Sequence, residues 1–257
     1  MPKTNKKELA AWLQRANPLV DFRIQEILSI TDLKGKRCLD VGFGRGQFIG
    51  YLKRLGAETG GIDLDPAAVA LVKDAIGADV RLGTIFDLPD ERKFDLIVMN
   101  DLLEHPLNPL EILQKADSLL NPLGLIAILT PNASFATEEE EPMFLRVNLE
   151  HMQYLTLGAC NFLARHLSLE VVHLEAVGFP VLHGMDRPPC ESVHKKPMSA
   201  RMKEAVLAGI RPATRAVNRL MGREGNRDRL GRYHLFCILR KRGETCPSSK
   251  VHPAPCE

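Results

Sequence analysis

Along most of the chain, short continuous apolar runs alternate with segments whose apolar residues recur every three or four positions. Residues 37–41, 59–62, 80–82, 94–99 and 125–130 have the length and apolar character of buried strands. Between them the spacing predicts helices. One starts at Gly46 and stops at Gly56, and a second is capped by Asp65-Pro66 and runs to Ile76 before Gly77. A third opens at Asn108-Pro109, with Leu110, Leu113, Ala116 and Leu120 on one face and Asn121-Pro122 closing it. Residues 83–93 leave room for one helical turn at most, a short crossover. Ahead of the first strand, Asn5 and Glu8 have capping-box spacing for a helix that Asn17-Pro18 ends, and a second helix is predicted over 19–30. After the fifth strand come a helix over 156–166 and strands over 169–174 and 234–239. Apolar strands separated by amphipathic helices predict an α/β fold, a doubly wound, mostly parallel sheet with helices on both faces.

The pattern divides the chain into N-terminal helices over 1–33, a main domain over 34–242 and a Pro- and Ser-rich tail over 243–257, expected to be disordered. A long basic segment, about 184–232, is expected to be a partly helical insertion between the last two strands. Composition changes this picture little: 45% of residues are hydrophobic and 26% charged, both ordinary for a globular protein. The formal charge of +2, from 34 basic and 32 acidic residues, does not demand a polyanionic partner. No apolar run is long enough to span a membrane, and the N-terminus lacks a signal-peptide core. Six cysteines form no CxxC pair, and Cys38 and Cys237 lie inside strand-like runs, so a reduced, cytoplasmic protein is expected.

Candidate chemistry begins at the end of the first strand, in Asp40-Val41-Gly42-Phe43-Gly44-Arg45-Gly46-Gln47. Alternate glycines between a strand and a helix allow a tight turn whose backbone can approach a ligand. A dinucleotide fingerprint would need its third glycine where Gln47 stands. Asp63, at the end of the second strand, is placed to accept hydrogen bonds from ribose hydroxyls, because Asp65 already serves as the helix cap.

The Asp40–Gly46 loop resembles motif I of class I S-adenosylmethionine-dependent methyltransferases. Phe94–Pro109 and Gly124–Asn132, with Glu150-His151-Met152-Gln153-Tyr154-Leu155-Thr156, resemble the branch that contains ubiquinone-biosynthesis O-methyltransferases and many natural-product and cell-surface-glycan methyltransferases. The resemblance covers roughly residues 34–179 and 233–241. It implies a seven-stranded sheet with a reversed last hairpin, S-adenosyl-L-methionine as cofactor, and a small-molecule acceptor. Cofactor contacts are then expected from Asp40, Gly42, Gly44, Gly46, Asp63 and Asn100. The acidic residue that relatives often place after the third strand's glycine is absent here, which leaves Thr84, the backbone of Ile85 and the face of Leu64 for the adenine.

Proton transfer falls to Glu104, His105 and His151, at the carboxyl edge of the sheet. Asp101, Glu104 and His105 stand at i, i+3 and i+4, so a helical turn would aim them one way. With His151 they resemble the metal-binding set of small-RNA 3′-terminal 2′-O-methyltransferases, but equivalent positions occur in relatives without a metal, and the metal stays open. The basic residues of 187–232 suit a solvated lid over the substrate cleft better than a membrane or nucleic-acid surface, since few aromatics interleave them. The reading is thus an O-methyltransferase of a small metabolite, sugar or lipid-pathway intermediate. The rivals are a binding scaffold without turnover and a metal-assisted RNA methyltransferase.

Overall fold

The computed structural model describes residues 6–133, 150–177 and 234–242. The expected basic insertion, the acidic run Glu138–Glu141, the C-terminal tail and the Asn5 cap lie outside these residues. Seven strands form one sheet: β1 (Arg37–Val41), β2 (Glu58–Asp63), β3 (Asp79–Leu82), β4 (Phe94–Asn100), β5 (Leu120–Pro131), β6 (Glu170–Val177) and β7 (His234–Arg240). Their order is β3-β2-β1-β4-β5-β7-β6, with all neighbours parallel except β7, which runs antiparallel to both β5 and β6. The strand order reverses between β1 and β4. Open sheets of this kind bind ligands beyond the carboxyl ends of the strands at that switch point.

Among the described residues, six α-helices accompany the sheet: α1 (Lys6–Arg15), α2 (Phe22–Ile30), α3 (Gln47–Arg54), α4 (Pro66–Ile76), α5 (Pro109–Ser118) and α6 (Leu157–His166). Alternate residues of the central strands enter different apolar layers. Leu39, Val41, Ile97 and Ile128 pack with Leu113 and Ala116 of α5 and Cys160 and Ala164 of α6. Cys38, Leu96, Val98 and Ala127 pack with Phe22, Ile24 and Ile27 of α2 and Phe48 and Leu52 of α3. The N-terminal helices are therefore part of the core that supports the sheet, and Arg54 of α3 caps α1 through the carbonyl of Leu13. No helix among the described residues is long and apolar enough to cross a membrane.

Two boundaries differ from the sequence pattern. The helix expected over 19–30 is interrupted at Asp21, which takes an extended conformation and caps α2 by accepting from Arg23 N–H, leaving a 3₁₀ turn at Pro18–Val20. Leu120 does not continue the face of α5. That helix ends at Ser118, and Leu120 starts β5 opposite Phe94, because Phe94 N–H takes the carbonyl of Leu119. The short crossover is as expected, a 3₁₀ turn at Ile85–Asp87.

Gly61 matters for placing the loop after β1. Its missing side chain lets Phe43 and Ile49 lie against β2, where a Cβ would sit 2.6 Å and 2.7 Å from their side-chain atoms. Gly61→Val is expected to lower stability by about 1–3 kcal/mol through overpacking. Urea denaturation checks this, and an unchanged midpoint would mean that Phe43 and Ile49 have room to move.

Candidate active site

The first part of the site lies where β1, β2 and β4 end. Gly42, Gly44 and Gly46 all have positive φ, at 70°, 51° and 71°, so the loop turns over the end of β1 through conformations that side chains rarely adopt. A Cβ on Gly44 would meet nothing within 4 Å, so the loop presents open space at that point. Asp63 ties this loop to β2: one carboxylate oxygen accepts from Gly44 N–H at 2.7 Å and the other from Asp65 N–H at 2.9 Å. Asp65 caps α4 through Ala67 N–H, as the sequence indicates. Each Asp63 oxygen keeps a second lone pair for a hydroxyl donor.

Beneath the loop is a buried charge cluster that the sequence reading only half identified. Asp40 is 1% exposed, and its Oδ1 has no hydrogen-bond partner among the described residues. Burial pushes its pKa up to about 8; the nearby Arg23 charge acts in the opposite sense, and Asp63 adds to the rise. Arg23, from the first turn of α2, is the missed residue. Its guanidinium grips both oxygens of Asp21, at 2.9 Å and 2.6 Å, donates to Asn100 Oδ1 at 3.0 Å, and lies over the Phe48 ring with its carbon 4.8 Å from the centroid. Apolar periodicity could not flag it, since Phe22, Ile24 and Ile27 around it are ordinary core residues. The one local signal was a helix-capping Asp two positions ahead of a lone arginine.

Among the residues expected to meet the adenine, Thr84 N–H and Oγ–H both donate to Asp87 Oδ2, at 2.7 Å and 2.9 Å, so the threonine hydroxyl keeps only its lone pairs for a ligand. Ile85 is buried with its side chain in the core, which leaves its backbone as the contact. Leu64 is 72% exposed and offers a free apolar face.

The second part lies past β4. Glu104, His105 and His151 come together, with one donor atom of each within 4.8 Å of the others. The His105 and His151 rings meet edge to face at 4.9 Å. Glu104 is buried and accepts from Thr130 Oγ–H at 3.0 Å, and burial pushes its pKa up to about 7. His105 Nδ1 lies 2.9 Å from the carbonyl oxygen of Glu150. A carbonyl only accepts, so Nδ1 carries the proton and Nε2 holds the lone pair in the neutral ring. Burial, then the charge of His105, lowers the pKa of His151, whose Nδ1 is 3.3 Å from the Tyr154 hydroxyl.

Asp101 does not join this set. No helix forms over 101–105. Asp101 instead takes φ 48°, with its N–H held by the carbonyl of Leu129, and its carboxylate lies 3.6 Å from Nε2 of the buried His234. With Asp101 in a left-handed conformation and no helix over 101–105, the i, i+3, i+4 spacing does not apply, although its charge still acts on Glu104 and His151.

These elements match a family model for a methyltransferase domain over residues 5–174. The chain belongs to the methyltransferase-domain family. The ubiquinone biosynthesis O-methyltransferase of Xanthomonas campestris pv. campestris (strain B100) is 34% identical over 134 residues, 48% of this chain and 55% of the relative. The chain thus spans about half the length of the curated relatives it matches. Among solved structures, a SAM-dependent methyltransferase from Archaeoglobus fulgidus superposes with a TM-score of 0.55 at 21% identity, covering 88% of this chain and 96% of that one. A second, from Mesorhizobium loti, gives 0.55 at 17% identity over 89% and 100%. The expected class and its seven-stranded sheet with a reversed last hairpin therefore hold for this methyltransferase domain.

The buried Asp40 carboxyl gives a pH signature. Its pKa is raised in the folded chain, so the native state holds this proton where the unfolded chain has released it, and stability falls as pH rises from about 4 towards 8. Asp40→Asn removes that dependence. Between about pH 5 and pH 7, without ligand, the variant is expected to gain about 2–3 kcal/mol on the wild type, since each pKa unit corresponds to about 1.4 kcal/mol. Thermal unfolding at the two pH values measures this; parallel curves would mean that Asp40 titrates normally.

Proposed function

We propose that this chain binds S-adenosyl-L-methionine across the glycine loop and transfers its methyl group to an oxygen of a small metabolite, sugar or lipid-pathway intermediate. The observation that carries the reading is the paired charge beneath the loop. The methionine end of the cofactor is a zwitterion, and the loop floor offers both a carboxyl with an unpartnered oxygen, Asp40, and a guanidinium, Arg23. A dinucleotide would bring a pyrophosphate instead, which has no ammonium to complete the unpartnered oxygen of Asp40. Asp63 suits the ribose hydroxyls, and Leu64, Thr84 and Ile85 suit the adenine. When bound, the cofactor supplies an activated methyl on a sulfonium leaving group.

What remains for the protein is to align the acceptor and remove its proton. His105 is the better base of the two histidines, because the Glu150 carbonyl fixes its tautomer with Nε2 unprotonated. His151, held beside it with a lowered pKa, is neutral near pH 7 and shares the proton or orients the acceptor. The ubiquinone relative's name supports oxygen as the methylated atom. One further reading has its own support: the convergence of Glu104, His105 and His151 suits a divalent cation that would bind the acceptor oxygen, with nitrogen and oxygen donors fitting Mg, Mn or Zn.

Labelled cofactor with pooled phenolic, sugar and lipid-precursor acceptors, read by mass spectrometry, is expected to give a product heavier by one methyl on oxygen. His105→Ala should cut turnover by roughly a hundredfold or more, with cofactor affinity unchanged. Turnover that survives chelators supports the base; turnover lost to chelators and restored by Mn or Zn supports the cation. A fully active His105→Ala protein would remove this residue from the chemistry.

A further inference from the structure

The segment 150–155 leads into α6 and lies along the turn that follows β4. Its backbone is fastened there by Met152 N–H and Gln153 N–H, which donate to the Glu104 carbonyl at 2.8 Å and 3.3 Å. Farther along, Ala133 N–H takes the carbonyl of Leu155 at 2.9 Å. These bonds, with His105 Nδ1 at 2.9 Å from the Glu150 carbonyl, tie the middle of the short turn to segment 150–155 but leave its two ends to other contacts.

Gln153 braces both ends. Its side-chain amide Nε2 donates to the carbonyl of Leu103 at 2.8 Å and to that of Pro106 at 2.8 Å. A primary amide has two N–H groups, and both are used here. The two carbonyls are those of the residues immediately before and after Glu104-His105. One half-buried side chain therefore closes the turn around that pair from both ends, and its own backbone is two residues from His151. The same short stretch therefore carries both the His151 imidazole and the amide that holds the turn bearing His105.

We propose that Gln153 is a positioning residue whose side-chain amide sets the His105–His151 geometry. This rests on the reading that these histidines serve the transfer, and the geometric part of the proposal can be tested without an acceptor. Gln153→Met keeps length and flexibility but has no donor, while Gln153→Lys restores a head with several N–H groups. Full-length protein labelled at histidine is examined by NMR for cross-relaxation between the His105 and His151 ring protons, which the edge-to-face contact at 4.9 Å makes visible.

The wild type and Gln153→Lys are expected to show the cross-peak, and Gln153→Met to lose it. Methyl transfer in Gln153→Met should fall by roughly a hundredfold, with KM for the cofactor unchanged, and should recover in Gln153→Lys. A cross-peak that persists in Gln153→Met overturns the proposal, even if turnover drops. A cross-peak lost in Gln153→Met and regained in Gln153→Lys, with turnover constant throughout, upholds the positioning and counts instead against a chemical role for the histidines. Loss of fold in Gln153→Met together with loss of the cross-peak in a folded Gln153→Lys also overturns it, because the donors would then not be what matters.

Discussion

The arrangement depends on keeping charge buried where the sheet reverses its strand order. Ionised groups leave water only at substantial cost, and the cost is met here by matched partners rather than by exposure. Arg23 stays charged because Asp21 grips it on two sides and Asn100 accepts from a third N–H. Asp40 lacks such a set, and its carboxyl is driven toward the protonated form. An incomplete polar site in a packed core is tolerated where a ligand completes it. A zwitterionic ligand end would supply both an ammonium for Asp40 and a carboxylate for Arg23.

The glycine loop and the two acid residues at the carboxyl ends of β1 and β2 make sense in that setting. The loop passes over the buried charges with Gly44 exposed, Asp63 holds it down through Gly44, and Gly61 leaves the space in which Phe43 anchors it. On the far side of β4 the turn carrying Glu104 and His105 is braced by Gln153 and Thr130. The glycine-loop and histidine regions thus share one support: β4 ends in Asn100, which contacts Arg23, and the next residue, Asp101, leads the chain into the turn that carries His105.

Much of the fold was legible because its signals are local. Continuous apolar strands, Asp65-Pro66 before α4, Gly77 after it and Thr156 before α6 each mark an element by chemistry that acts over a few residues. The glycine loop between β1 and α3 was legible for the same reason. Arg23 was not, because its importance comes from a partner 77 positions away, and no periodicity records a bond to Asn100. The expected helical turn over Asp101–His105 failed on backbone conformation: Asp101 at φ 48° redirects the chain, a choice set by β4 and β5 pairing rather than by the spacing of the side chains. Leu120 failed likewise, since pairing with Phe94 outweighed its place on a helical face.

The central claim is that this site takes S-adenosylmethionine and not a dinucleotide, and calorimetric titration tests it most directly. S-adenosylmethionine and its demethylated product are expected to bind, NAD is expected to give no heat of binding, and Asp63→Ala should weaken the cofactor by about 1–3 kcal/mol through the lost ribose hydrogen bonds. Saturable binding of NAD, or an Asp63→Ala protein with undiminished affinity for S-adenosylmethionine, would contradict the account.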